Sequence, residues 1–496
     1  MHRPTFSTVG IAATLLILVN QSSAFWRMGC RSRTGLVRID PLVSPGRISE
    51  HMHAIHGSSG FSESATYEDL MSGDCTSCEV AEDKSAYWHP ALYFQDSSTG
   101  KFTLVPQVGG MLAYYLLNAN PGSTKITSFP AGFQMIAGDS NQRNFSYPIP
   151  DVEKSHWNQA PYNSQAFLRQ AAIGFNCLNY DIAPEGSLYR HFLPDKSYMD
   201  EHCPQGIRFE LMFPSCWNGQ NEIPPNKMDH VAYPSLVMSG ECPKEYPVRL
   251  PSLFYEIIWD TYAFKDQPGQ FVIANGDTTG YGFHGDFIMG WDEKFLQKAV
   301  DTCTNLSGKI SDCPLFTIQD PAVVESCNLT SVPLIAAKEE KQEVNLNSLP
   351  GNVKIQKGPQ YSSGEAPGDA RPPVEILPSA RPDYHAENPE PKPEPKIDSP
   401  TNNTGDLTPS SPLKQDLQQE KPEQITPKIE APVPAPPPPP PKTSEVVKVI
   451  WVEETVTVTE TVTMTLPHYK RSHMQHHLRR FEGYHHNHGH PFGAAK

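Results

Sequence analysis

All ten cysteines of this 496-residue chain lie between positions 30 and 327, and the long stretch after them holds none. They are Cys30, Cys75, Cys78, Cys177, Cys203, Cys216, Cys242, Cys303, Cys313 and Cys327. An even set of cysteines behind a leader reads as five bridges made in an oxidising compartment. A zinc site at Cys75-x-x-Cys78 is the competing reading, but no second closely spaced pair completes it. The cysteine span therefore predicts one bridged globular domain over residues 25–330.

The N-terminus points to the same compartment. Arg3 is followed by the apolar run 9–19 and then by Asn20-Gln21-Ser22-Ser23-Ala24. A run of about eleven residues is too short to cross ~30 Å of hydrocarbon, and Ser22-x-Ala24 fits the small-residue rule for cleavage. Residues 1–24 are predicted to be a signal peptide, with the mature chain starting at Phe25. No later segment reaches the ~18 consecutive apolar residues of a membrane helix, and the C-terminal end lacks the apolar tail of a lipid-anchor signal. The prediction is a secreted protein, extracellular or held in a cell wall, without membrane insertion. Acceptor triplets at Asn144, Asn305, Asn328 and Asn402 fit a glycoprotein. A net charge of −15, with no basic patch in the globular part, argues against nucleic acid as a partner.

Composition changes after Val332 to Pro, Glu, Lys, Ser and Asn, ending in the six prolines Pro436 to Pro441. Such a stretch cannot bury enough apolar surface to offset its ordering entropy, so residues 331–445 are predicted to be a disordered, extended spacer. Residues 446–466 alternate threonine with valine and methionine at the period of a strand, and form a Thr/Val-rich extended segment. Residues 467–496 are a basic, histidine-dense tail whose imidazoles can capture Zn²⁺ or Cu²⁺.

Within the domain the ordered-looking segments are short and extended: 86–95, 101–116, 171–180, 207–213, 247–259 and 270–274, each bounded by Gly, Pro, Asn or Asp. Helical periodicity is confined to short runs such as 293–300. The fold class that follows is mainly β, a single disulfide-braced β-sandwich-like domain with few short helices.

The densest polar constellation opens this domain. Asp40-Pro-Leu-Val-Ser-Pro-Gly46 is followed by Ser49-Glu-His51-Met-His53-Ala-Ile-His56-Gly57. On a strand, His51 and His53 share one face and Met52 takes the other, which presents two imidazoles to one metal ion or one substrate group. Met228-Asp229-His230 and His284-Gly-Asp286 add two more histidines with neighbouring carboxylates. Converging, His51, His53, His230, His284 and Asp286 would form an acid–base site with an orienting carboxylate; alternatively His51, His53 and His230 would hold a divalent metal ion. Aromatics accompany these motifs, and Tyr87, Trp88, Trp217 and Tyr233 are the candidates for stacking on sugar rings.

Taken together these residues resemble a family of fungal secreted proteins, with bacterial relatives, known as domain-of-unknown-function family nineteen ninety-six. The resemblance rests on Phe25-Trp-Arg-Met-Gly-Cys30, Asp40 to Gly46, His51-Met-His53-Ala-Ile-His56-Gly57, Asp83-Lys-Ser-Ala-Tyr-Trp88, Phe213-Pro-Ser-Cys-Trp217-Asn-Gly219, Asp229-His230-Val-Ala-Tyr-Pro234 and His284-Gly-Asp286-Phe. It implies a secreted, wall-associated domain of unassigned activity and groups the paired histidines with His230 and His284. The family commonly reads Ser-His where this chain has Asp229-His230, which weakens a role for Asp229.

Other chemistries fit less well. A copper histidine brace needs an N-terminal histidine, whereas this chain is predicted to mature to Phe25. No Gly-x-Ser-x-Gly elbow is present. A glycosidase needs two carboxylates across a cleft, and Glu210, Glu256, Asp260, Asp277 and Asp286 cannot be ranked for that from sequence. Tyr87, Tyr233 and the same histidines leave a polysaccharide lyase open. Three readings remain, in this order: a domain that binds or acts on extracellular polysaccharide through its His/Asp cluster, a non-catalytic structural or adhesion protein of the wall, and an extracellular metal-binding protein.

Overall fold

The computed structural model describes residues 24–332 and 343–363, with the backbone of two short strands at Val446–Trp451 and Thr457–Val462. The predicted signal peptide, most of the proline-rich spacer, the histidine-rich tail and Asn402 lie outside the described residues. The chain divides into two units, and the second, Glu375–Lys448 with Thr461–Thr465, falls almost wholly outside them too. In the Thr/Val-rich segment the two described strands pair with each other.

The folded region is mainly β, with a few short helices, and is built on two five-stranded antiparallel sheets. One sheet runs in the order Ala24–Cys30, Gln107–Leu117, Ser252–Trp259, Ile207–Met212, Ile173–Cys177. The other, which bears the site, runs Gly35–Ile39, Ile48–Gly57, Ala86–Pro90, His284–Ile288, Gln134–Gly138. Alternate residues of both sheets meet in one apolar core: Met28, Tyr115, Phe209, Leu211, Tyr255 and Ile257 from the first, Met52, Ala54, Tyr87, Met135 and Phe287 from the second. Tyr87 sits edge-on to Tyr255 with ring centres 5.8 Å apart. Gly285 lies at this seam because a Cβ there would stand 2.6 Å from Leu211 Cδ2 and close to the Tyr255 ring.

Each sheet is also covered on its far side. Leu112, Tyr114, Met212 and Phe254 pack under Phe145, Tyr147, Trp157 and Phe167, while Val37, Ile55, Trp88 and Ile288 pack under Phe61 and Leu70. The strands Ile207–Met212, Ser252–Trp259 and His284–Ile288 are therefore buried at every position. The predicted helix at 293–300 is present as Glu293–Thr302, started by Asp292, whose side chain accepts from Phe295 N, and buried along Leu296, Ala299 and Val300. Among the described residues no helix is long and apolar enough to cross a membrane.

All ten cysteines are bridged: Cys30–Cys78, Cys75–Cys327, Cys177–Cys203, Cys216–Cys242 and Cys303–Cys313. Cys75 and Cys78 take different partners, which excludes the zinc pair. Cys75–Cys327 spans 252 positions and closes a loop around nearly the whole domain, the kind of closure that most restricts the unfolded chain.

One expected boundary moves. The predicted spacer starts at residue 331, whereas residues 343–363 lie along the domain. Phe102 and Leu346 exchange backbone hydrogen bonds of 2.9 Å in each direction, and Leu349 is fully buried. A few apolar residues in a polar, proline-containing stretch give no periodic signal, so the attachment is invisible in sequence.

Candidate metal centre

Strand Ile48–Gly57 alternates as its pattern predicts: Met52 enters the core between the sheets, and His51 and His53 turn to the opposite face. His284 opens the strand His284–Ile288 and shares its face with Asp286 and Ile288, while Phe287 enters the core. The register explains how His53 and His284 meet. His53 pairs with Pro90 and Trp88 pairs with Asp286; carrying that second register on by two residues sets Pro90 opposite His284. The two histidines thus stand in one row, two strand spacings or roughly 10 Å apart, and lean together over the proline between them.

The result is a group of three imidazoles whose donor atoms all lie within 4.8 Å of one another. His51 Nε2 is 3.1 Å from His284 Nε2. Ring centres are 4.4 Å apart for His51 and His53, and 6.3 Å for His53 and His284. His53 and His284 are buried and His51 is half-buried. His284 Nδ1 is 2.9 Å from Gly282 O, so that nitrogen carries the proton and Nε2 presents its lone pair to the group. Neither nitrogen of His53 makes a well-formed hydrogen bond among the described residues, its one polar backbone neighbour being Ile39.

Electrostatics keep all three rings neutral. Burial holds His51 and His53 well below the usual imidazole range, helped for His51 by His284, Arg143 and Arg38, and for His53 by the other two rings. Burial likewise pushes His284 down to about 4, against the Gly282 carbonyl. Neutral imidazole is the form that ligates a metal.

The remaining candidates stand apart. His230 bonds Gln134 O through Nε2 at 2.8 Å and packs on Phe133, outside the three-ring group; burial also lowers it to about 4. Its sequence neighbour Asp229 is exposed. Asp286 is 1 % exposed, and neither carboxyl oxygen has a hydrogen-bond partner among the described residues. Burial, then the nearby Asp40, raises it well above the carboxylate range, so it is a neutral acid rather than an orienting anion.

The aromatic candidates are interior. Tyr87 donates to Asp83 and shares a 2.7 Å contact with Tyr115 OH. Trp88 packs at a tilt against Phe61, Trp217 Nε1 donates to Gln220 O, and Tyr233 OH donates to Met212 O. With exposures of 0, 0, 7 and 3 %, none offers a face for a sugar ring. Large aromatics fill cores unless a row of them is seen at the surface.

Of the unranked carboxylates, Glu210 and Glu256 are both ion-paired to Arg208, Asp277 lies 3.7 Å from Arg143, and Asp260 accepts from Ala263 N at the head of a short helical turn. Among the glycosylation acceptors, Asn305 and Asn328 are exposed, whereas Asn144 is 7 % exposed and so is no accessible acceptor. Residues the motifs did not single out are Asp139 and Arg143, whose charges act on the group, Tyr361, which bonds Asp139, and the buried His89, which stacks on His56 at the inner face of the same sheet. His89 is the one histidine of its strand Ala86–Pro90 and so carries no spacing signal, and Tyr361 lies in the predicted spacer.

A model for the family described as Domain of unknown function (DUF1996) matches residues 40–291, half of the chain, and includes all three imidazoles. The chain belongs to this family. No curated protein and no solved structure matches it. The DUF1996 match covers both sheets except the strands Ala24–Cys30 and Gly35–Ile39, and the family description assigns no activity.

Proposed function

We propose that this DUF1996 domain is an extracellular metal-binding domain in which His51, His53 and His284 hold one divalent transition ion. The observation that carries the reading is the convergence of three neutral, mostly buried imidazoles on one point, one of them with no well-formed hydrogen bond at either nitrogen. Burying polar nitrogens without partners costs free energy, and a metal ion would recover it. A set of imidazoles favours Zn²⁺ or Cu²⁺. His284, oriented by its Nδ1–H to the Gly282 carbonyl, has the outer-shell support usual for a histidine ligand.

Among the described residues no fourth side-chain donor joins the three. Three protein ligands leave a coordination position for water or substrate, the pattern of catalytic rather than structural zinc, where bound water reaches a pKa of about 7. Secretion is part of this proposal and is supported by the five bridges. Polysaccharide as the ligand draws no support from the aromatics first named for it, because they are buried.

The test is metal analysis of the chain purified without a histidine tag and truncated after Ser363, which also removes the histidine-rich tail. One equivalent of Zn²⁺ or Cu²⁺ is expected, lost in His51→Ala and in His284→Ala and kept in His230→Ala. A folded domain that takes up no ion, or that loses it equally on replacing His230, rejects the proposal.

A further inference from the structure

The segment 343–363 does more than extend the fold. It begins beside strand Phe102–Leu104, where Leu104 N donates to Glu343 O. It then crosses the end of the site-bearing sheet at which the three imidazoles sit. Gly351 approaches the strand Ile48–Gly57 so closely that a Cβ would stand 2.1 Å from Glu50 O, the residue before His51. Its φ of +79° is one that glycine accepts without strain. Gln356 N donates to Gly276 O at 2.9 Å, and Gly358 lies against the backbone of Arg143. On the far bank, Tyr361 OH lies 2.8 Å from both carboxylate oxygens of Asp139, and Ser362 N donates to Asn141 O at 3.0 Å. Asp139 follows Gly138, the register partner of His284. The segment thus runs from the residue beside one imidazole to the residue beside another.

Its attachment is light. Leu349 is its one buried side chain among the described residues; Val353 and Ile355 are half-buried, and most of the rest are exposed. A segment held by one buried apolar side chain, three half-buried ones (Leu346, Val353 and Ile355) and hydrogen bonds at the surface opens locally more often than a sheet buried on both faces.

We propose that residues 343–363 are a strap that gates the three-imidazole site, and that metal ions and ligands reach His51, His53 and His284 when the Leu349 and Tyr361 ends lift. The gating stands on the geometry of the strap; its consequence for metal exchange rests on the reading of the preceding subsection.

The test compares the full chain, freed of metal by chelator, with Leu349→Ala and Tyr361→Phe. Each is treated with diethylpyrocarbonate, and carbethoxylation of each histidine is followed by peptide mass spectrometry. Both variants should raise the rates at His51 and His284 at least fivefold. The exposed His156 should be unchanged, and so should the buried His230, which reports global unfolding because the strap does not touch it. Rates at His51 and His284 that stay at the native value, or that rise only in step with His230, overturn the strap.

Co²⁺, given to the same variants in the chain stopped at Ser363 so that the histidine-dense tail takes up none, then separates the two proposals. Uptake with faster extraction by EDTA in both variants supports both. Gated imidazoles in a chain that takes up no Co²⁺ leave the strap and remove the metal reading. Co²⁺ bound but released at the native rate, with unchanged carbethoxylation, does the reverse.

Discussion

Strand Ile48–Gly57 carries buried histidines to two different environments. His51 and His53 leave one face and meet His284; His56 leaves the other and stacks on His89 inside the core, ring centres 5.7 Å apart. His56 is satisfied on both sides, with Nδ1 2.9 Å from Ser32 O and Nε2 3.2 Å from Gln107 Nε2, whereas His89 bonds Pro90 O through Nδ1 and has no partner for Nε2 among the described residues. The outer rings point mainly at one another, and His53 makes no well-formed hydrogen bond among the described residues. Both groups are buried and depressed in pKa: His56 lies well below the usual imidazole range and His89 at about 4, chiefly through burial. Burial and a lowered pKa therefore do not distinguish a ligand from a structural histidine. What distinguishes them is convergence: His89 Nε2 and His230 Nδ1 also lack partners among the described residues, but only His51, His53 and His284 bring three imidazole donors to one point.

The largest effect that would break this contrast is on metal affinity. His51→Ala or His284→Ala should weaken binding by more than the ~10–100-fold that loss of an outer-shell partner costs, while His56→Ala should leave it within about threefold; titration with Zn²⁺ decides this. Equal losses from the two faces would erase the distinction.

Stability of the metal-free protein should reverse the order. His56→Leu leaves the Ser32 carbonyl without this partner and the Gln107 amide with Gly110 O alone, and is expected to cost about 2 kcal/mol in urea unfolding. His53→Leu removes two nitrogens that make no well-formed hydrogen bond and should stay within about 1 kcal/mol of the native chain, or exceed it. The same measurement at two pH values sharpens the point. His89 binds its proton near pH 4 in the folded state and near 6.5 when unfolded. The unfolded chain therefore takes up more protons below pH 6.5, so the contribution is full above that value and is lost as pH falls towards 4. Between pH 7 and pH 5 it amounts to about 2 kcal/mol for this one ring. A stability profile flat over that range would mean that His89 is not held neutral by burial.

The smallest effect concerns the chain's end. Stopping at Ser363 should change stability by less than about 0.5 kcal/mol, whereas stopping at position 342 removes the buried Leu349 and should cost about 2 kcal/mol. Equal costs would place the domain boundary elsewhere.

The class of fold was legible in the sequence because it depends on local chemistry. Ten cysteines in one span, short extended segments between turn residues and a single clear helix at 293–300 required nothing beyond the chain's own order. The alternation in Ile48–Gly57 separated His51 and His53 from Met52 for the same reason, since period two is a property of any strand. The Tyr87, Trp88, Trp217 and Tyr233 platform failed because exposure is not local. A sheet covered on both faces leaves no outward side for an aromatic, and both covers come from distant parts of the chain.

Which histidines would meet was decided by strand order and register alone. His284 is 233 positions from His51, and it joins the pair because its strand lies next to Ala86–Pro90 in a register that sets it across Pro90 from His53. His230, in a neighbourhood just as polar, has Nε2 on a carbonyl of another strand and stands outside the three-ring group. Residue type and spacing say what a side chain can bind. Only the pairing of distant strands, and the strap laid across their ends, determines what it can reach.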